Sequence, residues 1–229
     1  MEIEDSIFLY EVNADRSGMR CVCFIGLNEY YSGMSSAGDW VVYSRREGIN
    51  GEDEICVVRR DGSERYNTGV RGRNPDFSPD ASKIVYEKPN SGIWVMDRDG
   101  SNNHYIVSDP DAKYPAWSPD GWRIAYVKNY PNVEYLAVVD TFGDTLKKFY
   151  IDIDRPDWGP IDSNAISGSN GHNGEIVHYD TGEIDTLFSL SLGWGQGLKW
   201  APCGSLFIGY RTIYRRDGTK VFTISAGGE

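Results

Sequence analysis

Trp117-Ser118-Pro119-Asp120-Gly121-Trp122-Arg123-Ile124-Ala125-Tyr126 is the stretch whose reading decides the fold. Ser-Pro-Asp-Gly is turn chemistry. Proline presets φ, aspartate bonds back to nearby backbone N–H groups, and glycine accepts φ > 0. Ile124-Ala125-Tyr126 continues as a short apolar strand, so the stretch reads as strand end, tight turn and strand start. The chain repeats it. Phe77-Ser78-Pro79-Asp80-Ala81-Ser82-Lys83-Ile84-Val85-Tyr86 is a close copy, and worn copies run over 34–43, 158–167 and 200–209. In every copy the anchor and the tyrosine-column position lie nine residues apart, and successive anchors are separated by 43, 40, 41 and 42 residues.

Each anchor is followed by three further strand-like pieces, which in the second copy are Lys83–Glu87, Gly92–Asp97 and Asn103–Ser108. The last two flank Asp99-Gly100, a hairpin signal, and equivalent turns stand at Asp61-Gly62, Gly143-Asp144, Thr181-Gly182 and Asp217-Gly218. The apolar runs are short, rich in Val, Ile, Tyr and Trp, and carry no helical period. The predicted class is therefore all-β. The repeat length is that of a four-stranded antiparallel propeller blade, and five anchors predict five blades, with six as the alternative. A single domain is expected over 1–229, with blades near 28–69, 70–108, 109–150, 151–190 and 191–225. The last repeat looks too short for a full blade, with nine residues from Gly209 to Gly218 against fourteen from Tyr86 to Gly100. The expectation is that a hairpin over 6–24 completes it and closes the ring, removing an open sheet edge.

The net charge of −11 and the pI near 4.8 disfavour nucleic acid and anionic membrane as partners, since both need a basic face. No apolar run approaches the ~20 residues of a membrane helix. Met1-Glu2-Ile3-Glu4-Asp5-Ser6 shows no secretory signal, so a cytoplasmic protein or a virion component is expected. The four cysteines form no disulfide framework, and the three histidines have no ligand spacing to Cys21-x-Cys23. No metal and no cofactor is expected. Asp97-x-Asp99 and Asp109-x-Asp111 are read as turn chemistry rather than as calcium ligands.

Asn74-Pro75-Asp76-Phe77-Ser78-Pro79-Asp80 with Ile84-Val85-Tyr86, and Tyr114-Pro115-Ala116-Trp117-Ser118-Pro119-Asp120-Gly121 with Ile124-Ala125-Tyr126, resemble the PD40 (WD40-like, TolB-type) β-propeller repeat family. Gly92-Ile93-Trp94-Val95-Met96-Asp97 fits the same pattern. The resemblance implies the propeller fold and names no function, because such folds host many.

Propeller ligands meet the loops at one mouth, where this chain offers Tyr31, Arg73, Asn74, Lys113, Tyr114, Arg155, Trp194 and Gln196. Aromatics mixed with amides and charges suit a protein or glycan partner. The expected function is a non-enzymatic binding or structural module, with homo- or hetero-oligomeric assembly as one setting and a phage virion as an example. The alternative is a carbohydrate-active, glycoside hydrolase-like enzyme. Asp76 and Asp157 hold the same position in two inner strands and are its candidate paired carboxylates. Their other reading is as caps of turns or partners of neighbouring backbone.

Overall fold

The computed structural model describes residues 6–11, 20–27, 29–47, 51–128, 134–160, 163–170, 172–189, 198–200, 206–209, 212–215 and 219–223. They form strands throughout. A two-stranded sheet pairs β1 (Ser6–Glu11) with β2 (Arg20–Leu27). Five four-stranded sheets follow in chain order. The first holds β3 (Glu29–Ala37), β4 (Trp40–Glu47), β5 (Glu54–Arg59) and β6 (Arg65–Arg71). The second holds β7 (Arg73–Phe77), β8 (Lys83–Lys88), β9 (Gly92–Asp97) and β10 (His104–Val107). The third holds β11 (Ala112–Trp117), β12 (Arg123–Lys128), β13 (Tyr135–Asp140) and β14 (Thr145–Phe149). The fourth holds β15 (Asp154–Trp158), β16 (Ala165–Ser169), β17 (Asn173–His178) and β18 (Ile184–Ser189). The fifth holds β19 (Leu198–Trp200), β20 (Leu206–Gly209), β21 (Thr212–Arg215) and β22 (Lys220–Thr223). In each sheet the strands lie side by side in chain order, and neighbours such as β4 and β5, β12 and β13, β16 and β17, and β20 and β21 pair antiparallel.

The fifth sheet corrects the expectation of an incomplete last repeat, for it takes all four strands from 198–223. The short B–C span is absorbed by a tight connection, with Gly209 paired directly to Thr212, and by strands of only four residues. Packing groups the chain into two compact units. The first is 1–89 with 94–104, and the second is 90–93 with 105–229.

The Ser-Pro-Asp-Gly turns form as their chemistry dictates. Ser118 N–H donates to Arg123 O at 2.8 Å and Gly121 N–H to Ser118 O at 3.0 Å. Asp120 Oδ1 accepts from Ser118 Oγ at 2.6 Å and from Trp122 N–H at 2.9 Å. The second sheet repeats this pattern with Ser78, Asp80, Ser82 and Lys83. There Ala81 sits at φ 55°, where the third sheet has Gly121 at φ 78°. A residue with a Cβ gives up roughly 1–2 kcal/mol in that region, so glycine is the better fit.

Central strands are buried on both faces. β12 and β13 each run half-buried, four buried residues, half-buried, whereas the outer strand β6 alternates exposed and half-buried residues. In the first unit Val42, Ile55, Val57, Phe77, Ile84, Tyr86 and Met96 share one core. In the second, Val127, Leu136, Val138, Trp158, Ile166 and Val177 share another. Each such side chain contributes about 1.5–3 kcal/mol on burial. The tyrosines of the column, Tyr43, Tyr86 and Tyr126, are buried, and Tyr86 joins the first of these cores. Tyr86 is fully buried, donates its hydroxyl to Asn103 Oδ1 at 2.8 Å, and has its pKa pushed up to about 12, with burial as the main cause.

Arginine ties the turn to its surroundings within the second unit. Arg123 chelates Asp120, donates to Asn164 Oδ1 at 3.0 Å, and lies 4.6 Å from the ring centres of both Trp158 and Tyr179. The opening motif therefore supplies both the turn and a clamp on the fourth sheet.

Candidate ligand-binding site

The first strand of the second, third and fourth sheets is interrupted at one place. Its pairing with the next strand shifts between Arg73 and Asp76, between Lys113 and Ala116, and between Asp154 and Asp157. At each shift a residue with a Cβ takes the left-handed conformation: Asn74 at φ 48°, Tyr114 at φ 53° and Arg155 at φ 49°. The next residue is always proline, Pro75, Pro115 or Pro156, so the broken ladder leaves no N–H unpaired there. Left-handed backbone at Asn, Tyr and Arg costs roughly 1–2 kcal/mol per residue. Such strain persists where the surroundings impose it, and it clusters at ligand sites, where a bulge re-aims a side chain. Three of the residues expected at the mouth are these three.

In the first unit the bulge side chains are satisfied internally. Asn74 Nδ2 donates to the buried Glu87 at 2.9 Å, and Arg73 pairs with the buried Asp53. Arg71 pairs with Glu52 and Arg45 with Glu54, around a cavity of about 210 Å³. Each of these cations is met by a carboxylate.

The second unit differs. The Arg155 guanidinium lies 4.8 Å from the centre of the Tyr114 ring, so bulge residues of neighbouring sheets stack on each other. Its Nε–H is buried without a hydrogen-bond partner, and no carboxylate pairs with it among the described residues. Lys113, next to Tyr114, is half-buried and also lacks a carboxylate partner among them. Asp109 and Glu175 are engaged elsewhere. Lys128 pairs with Asp109. Burial, the largest single influence, opposes ionisation of Asp109, but the bonds from Lys128 and the Asp111 N–H together with the charges of Lys128 and Lys148 outweigh it and hold the carboxyl below its ordinary range. Glu175 is buried, accepts from Asn170 Nδ2 at 2.8 Å, and has its pKa raised, first by burial and then by the charge of Asp152. Two uncompensated cations beside an aromatic face can hold an anionic or polar group.

The two carboxylates of the alternative reading stand on the first strands of their sheets, β7 and β15. Asp157 is committed to its neighbour: Oδ2 accepts Trp200 N–H at 2.7 Å and Oδ1 bonds Lys199 Nζ at 2.8 Å. Asp76 is half-buried on β7 and is also engaged. The side chain of Tyr31, and Trp194 and Gln196, lie outside the described residues. Among the described residues no group of three or more His, Cys, Asp or Glu side chains is arranged for a metal. The expected turn aspartates behave as such, with Asp99 accepting from Ser101 and Asp97 from Lys83 and Asn102. A groove of about 750 Å³ at the turn end of the first unit is lined by Asp80, Asp97, Asp99, Lys83 and Arg98.

Sequence reading missed Glu87, Lys128 and Glu175, which sit on strands without a motif. It also missed the bulge itself, although the X-Pro step recurring at 74–75, 114–115 and 155–156 marks it.

No family model matches the chain. Among solved structures it is similar to TolB of Acinetobacter baumannii, with a TM-score of 0.73, 16% identity, and coverage of 93% of this chain and 58% of that one. A putative TolB of Agrobacterium tumefaciens gives a TM-score of 0.72 at 18% identity, covering 92% of this chain and 86% of that one. The fold is a TolB-like β-propeller. Each four-stranded antiparallel sheet has the make-up of a propeller blade. A chain of a nidogen/laminin complex is also similar, with a TM-score of 0.72, 11% identity, and coverage of 96% and 90%. So is oligogalacturonate lyase of Vibrio parahaemolyticus, with a TM-score of 0.64, 13% identity, and coverage of 90% and 70%. This chain spans 58% of the length of the Acinetobacter TolB. At these identities the likeness establishes the propeller fold and leaves function to the site.

Proposed function

We propose that the chain is a non-enzymatic binding module, a five-bladed propeller that presents Lys113, Tyr114 and Arg155 to a protein or glycan partner. The observation that carries this reading is the Arg155–Tyr114 stack. Two strained residues are held face to face, with a guanidinium and a neighbouring ammonium that no internal carboxylate neutralises among the described residues. In a chain of net charge −11, leaving cations unpaired at one spot favours an anionic group on the ligand. The TolB-like and nidogen/laminin neighbours are consistent with a binding role. The lyase neighbour keeps an enzyme in view, but Asp157 is held by Lys199 and Trp200, and this weighs against a paired-carboxylate mechanism.

The test is a combined peptide and glycan array probed with the purified chain and with Arg155→Ala. Ligands bound by the wild type and lost by the variant support the reading. Silence on both arrays, or ligands indifferent to Arg155, overturns it.

A further inference from the structure

Two large aromatic side chains stand in solvent at the turn end of the third blade, away from the bulge site. Trp122 is 70% exposed and Phe142 is 85% exposed. The pairing of Arg123 with Asp140 makes their turns neighbours, because Trp122 precedes the first residue of that pair and Phe142 closely follows the second. Neither turn is loose. Asp120 Oδ1 accepts Trp122 N–H, and Asp140 Oδ1 accepts from both Phe142 N–H and Asp144 N–H at 2.9 Å. Gly143 fixes the second turn in place. At φ 95° it approaches β10 so closely that a Cβ would lie 2.2 Å from Ile106 O. The exposure of these rings is therefore preorganised, and exposed apolar surface of this kind marks an interaction site.

The rim around the rings is acidic. Asp140, Asp144 and Asp180 have no cation paired with them among the described residues. The nearby cations are already used: Arg123 is chelated by Asp120, and Lys147 donates to the carbonyls of Tyr179 and Asp180. Lys147 also places the Asp180 turn beside the third blade.

We infer that this face docks an arginine- or lysine-rich segment of a partner protein. The rings offer cation–π faces to its side chains and the three aspartates offer charge. A nucleic acid is repelled by the same aspartates. The inference does not rest on the bulge site.

The experiment is a titration of the intact chain with a labelled peptide of alternating arginine and glycine. Trp122→Ala/Phe142→Ala is expected to weaken binding about tenfold, on the scale of a cation–π contribution of about 1–2 kcal/mol. Asp144→Asn/Asp180→Asn is expected to weaken it several-fold, and raising the salt should weaken the wild type as well. Asp39→Asn/Glu64→Gln removes the same charge from exposed positions in the first unit and is expected to leave binding unchanged. Equal losses in the two charge variants would show diffuse attraction and overturn the inference, as would wild-type affinity in the aromatic variant. A concentration-dependent dimer abolished by Trp122→Ala/Phe142→Ala would assign the face to a second copy and overturn it too. Unfolding midpoints in urea, expected to match wild type for side chains this exposed, separate binding loss from misfolding.

Discussion

Asp157 reaches from β15 to β19 and accepts the backbone N–H of Trp200 at 2.7 Å. Its other oxygen holds Lys199, so the carboxylate serves as a tie between the fourth and fifth sheets. Removing it leaves a part-buried N–H without its acceptor, which costs about 1–3 kcal/mol. Asp157→Ala is expected to lower stability by that amount in urea unfolding. Asp157→Asn, which keeps an acceptor oxygen, should lose less. Equal stability of wild type and Asp157→Ala would remove the structural role.

Two glycines separate conformational strain from close approach. Gly121 needs only its positive φ of 78°, so Gly121→Ala is expected to cost about 1 kcal/mol. Gly143 needs both its φ of 95° and its missing Cβ, because Ile106 O occupies that space. Gly143→Ala should therefore cost more than about 2 kcal/mol, the range where backbone strain and overpacking add. Reversal of this order would contradict the packing of the third blade's turn against β10.

How much of this was legible follows from range. The Ser118–Asp120–Trp122 hydrogen bonds close within a few residues, so the motif carries its own structure, and the five anchors fall on the first strands of the five four-stranded sheets. Asp157–Lys199 and Tyr114–Arg155 are 42 and 41 residues apart, and nothing local announces which side chains meet. The fifth blade misled through arithmetic. Nine residues looked too few for a strand and a loop, but Gly209 pairs straight to Thr212. Trp122 was visible within the opening motif, yet only its exposure in the structure shows that it stands largely in solvent.

Acid should weaken the fold. Asp80 is held below its ordinary pKa by the bond from Ser78 and then by those from Ser82, and Asp99 by its bonds from Ser101. A carboxyl depressed in the folded state stabilises above its unfolded pKa of about 3.9 and loses that contribution as pH falls through the folded value. Urea midpoints are expected to hold from pH 6 to 5 and to fall below about pH 4. Asp80→Asn should flatten the acid limb, and an unchanged limb would contradict this assignment.

Glu175 titrates with the opposite sign. Burial, with Asp152 nearby, raises its pKa, so its contribution is present below its unfolded value of about 4.3 and lost as pH rises through the folded one. Glu175→Gln keeps an acceptor for Asn170 and removes the buried charge. The variant is expected to gain stability over wild type at pH 7 and to lose that gain at pH 4. A loss at pH 7 would show that the carboxylate is needed as an ion.

The central claim is that ligand is held by Lys113, Tyr114 and Arg155 without chemistry. Its most direct test is calorimetric titration of an array-selected ligand into wild type, Lys113→Ala/Arg155→Ala and Asp157→Asn, with the recovered ligand checked for cleavage. The account predicts binding by wild type and Asp157→Asn, loss of at least tenfold in the double variant, and ligand recovered intact. Cleaved ligand from wild type, with turnover abolished by Asp157→Asn and binding indifferent to Lys113 and Arg155, would contradict it.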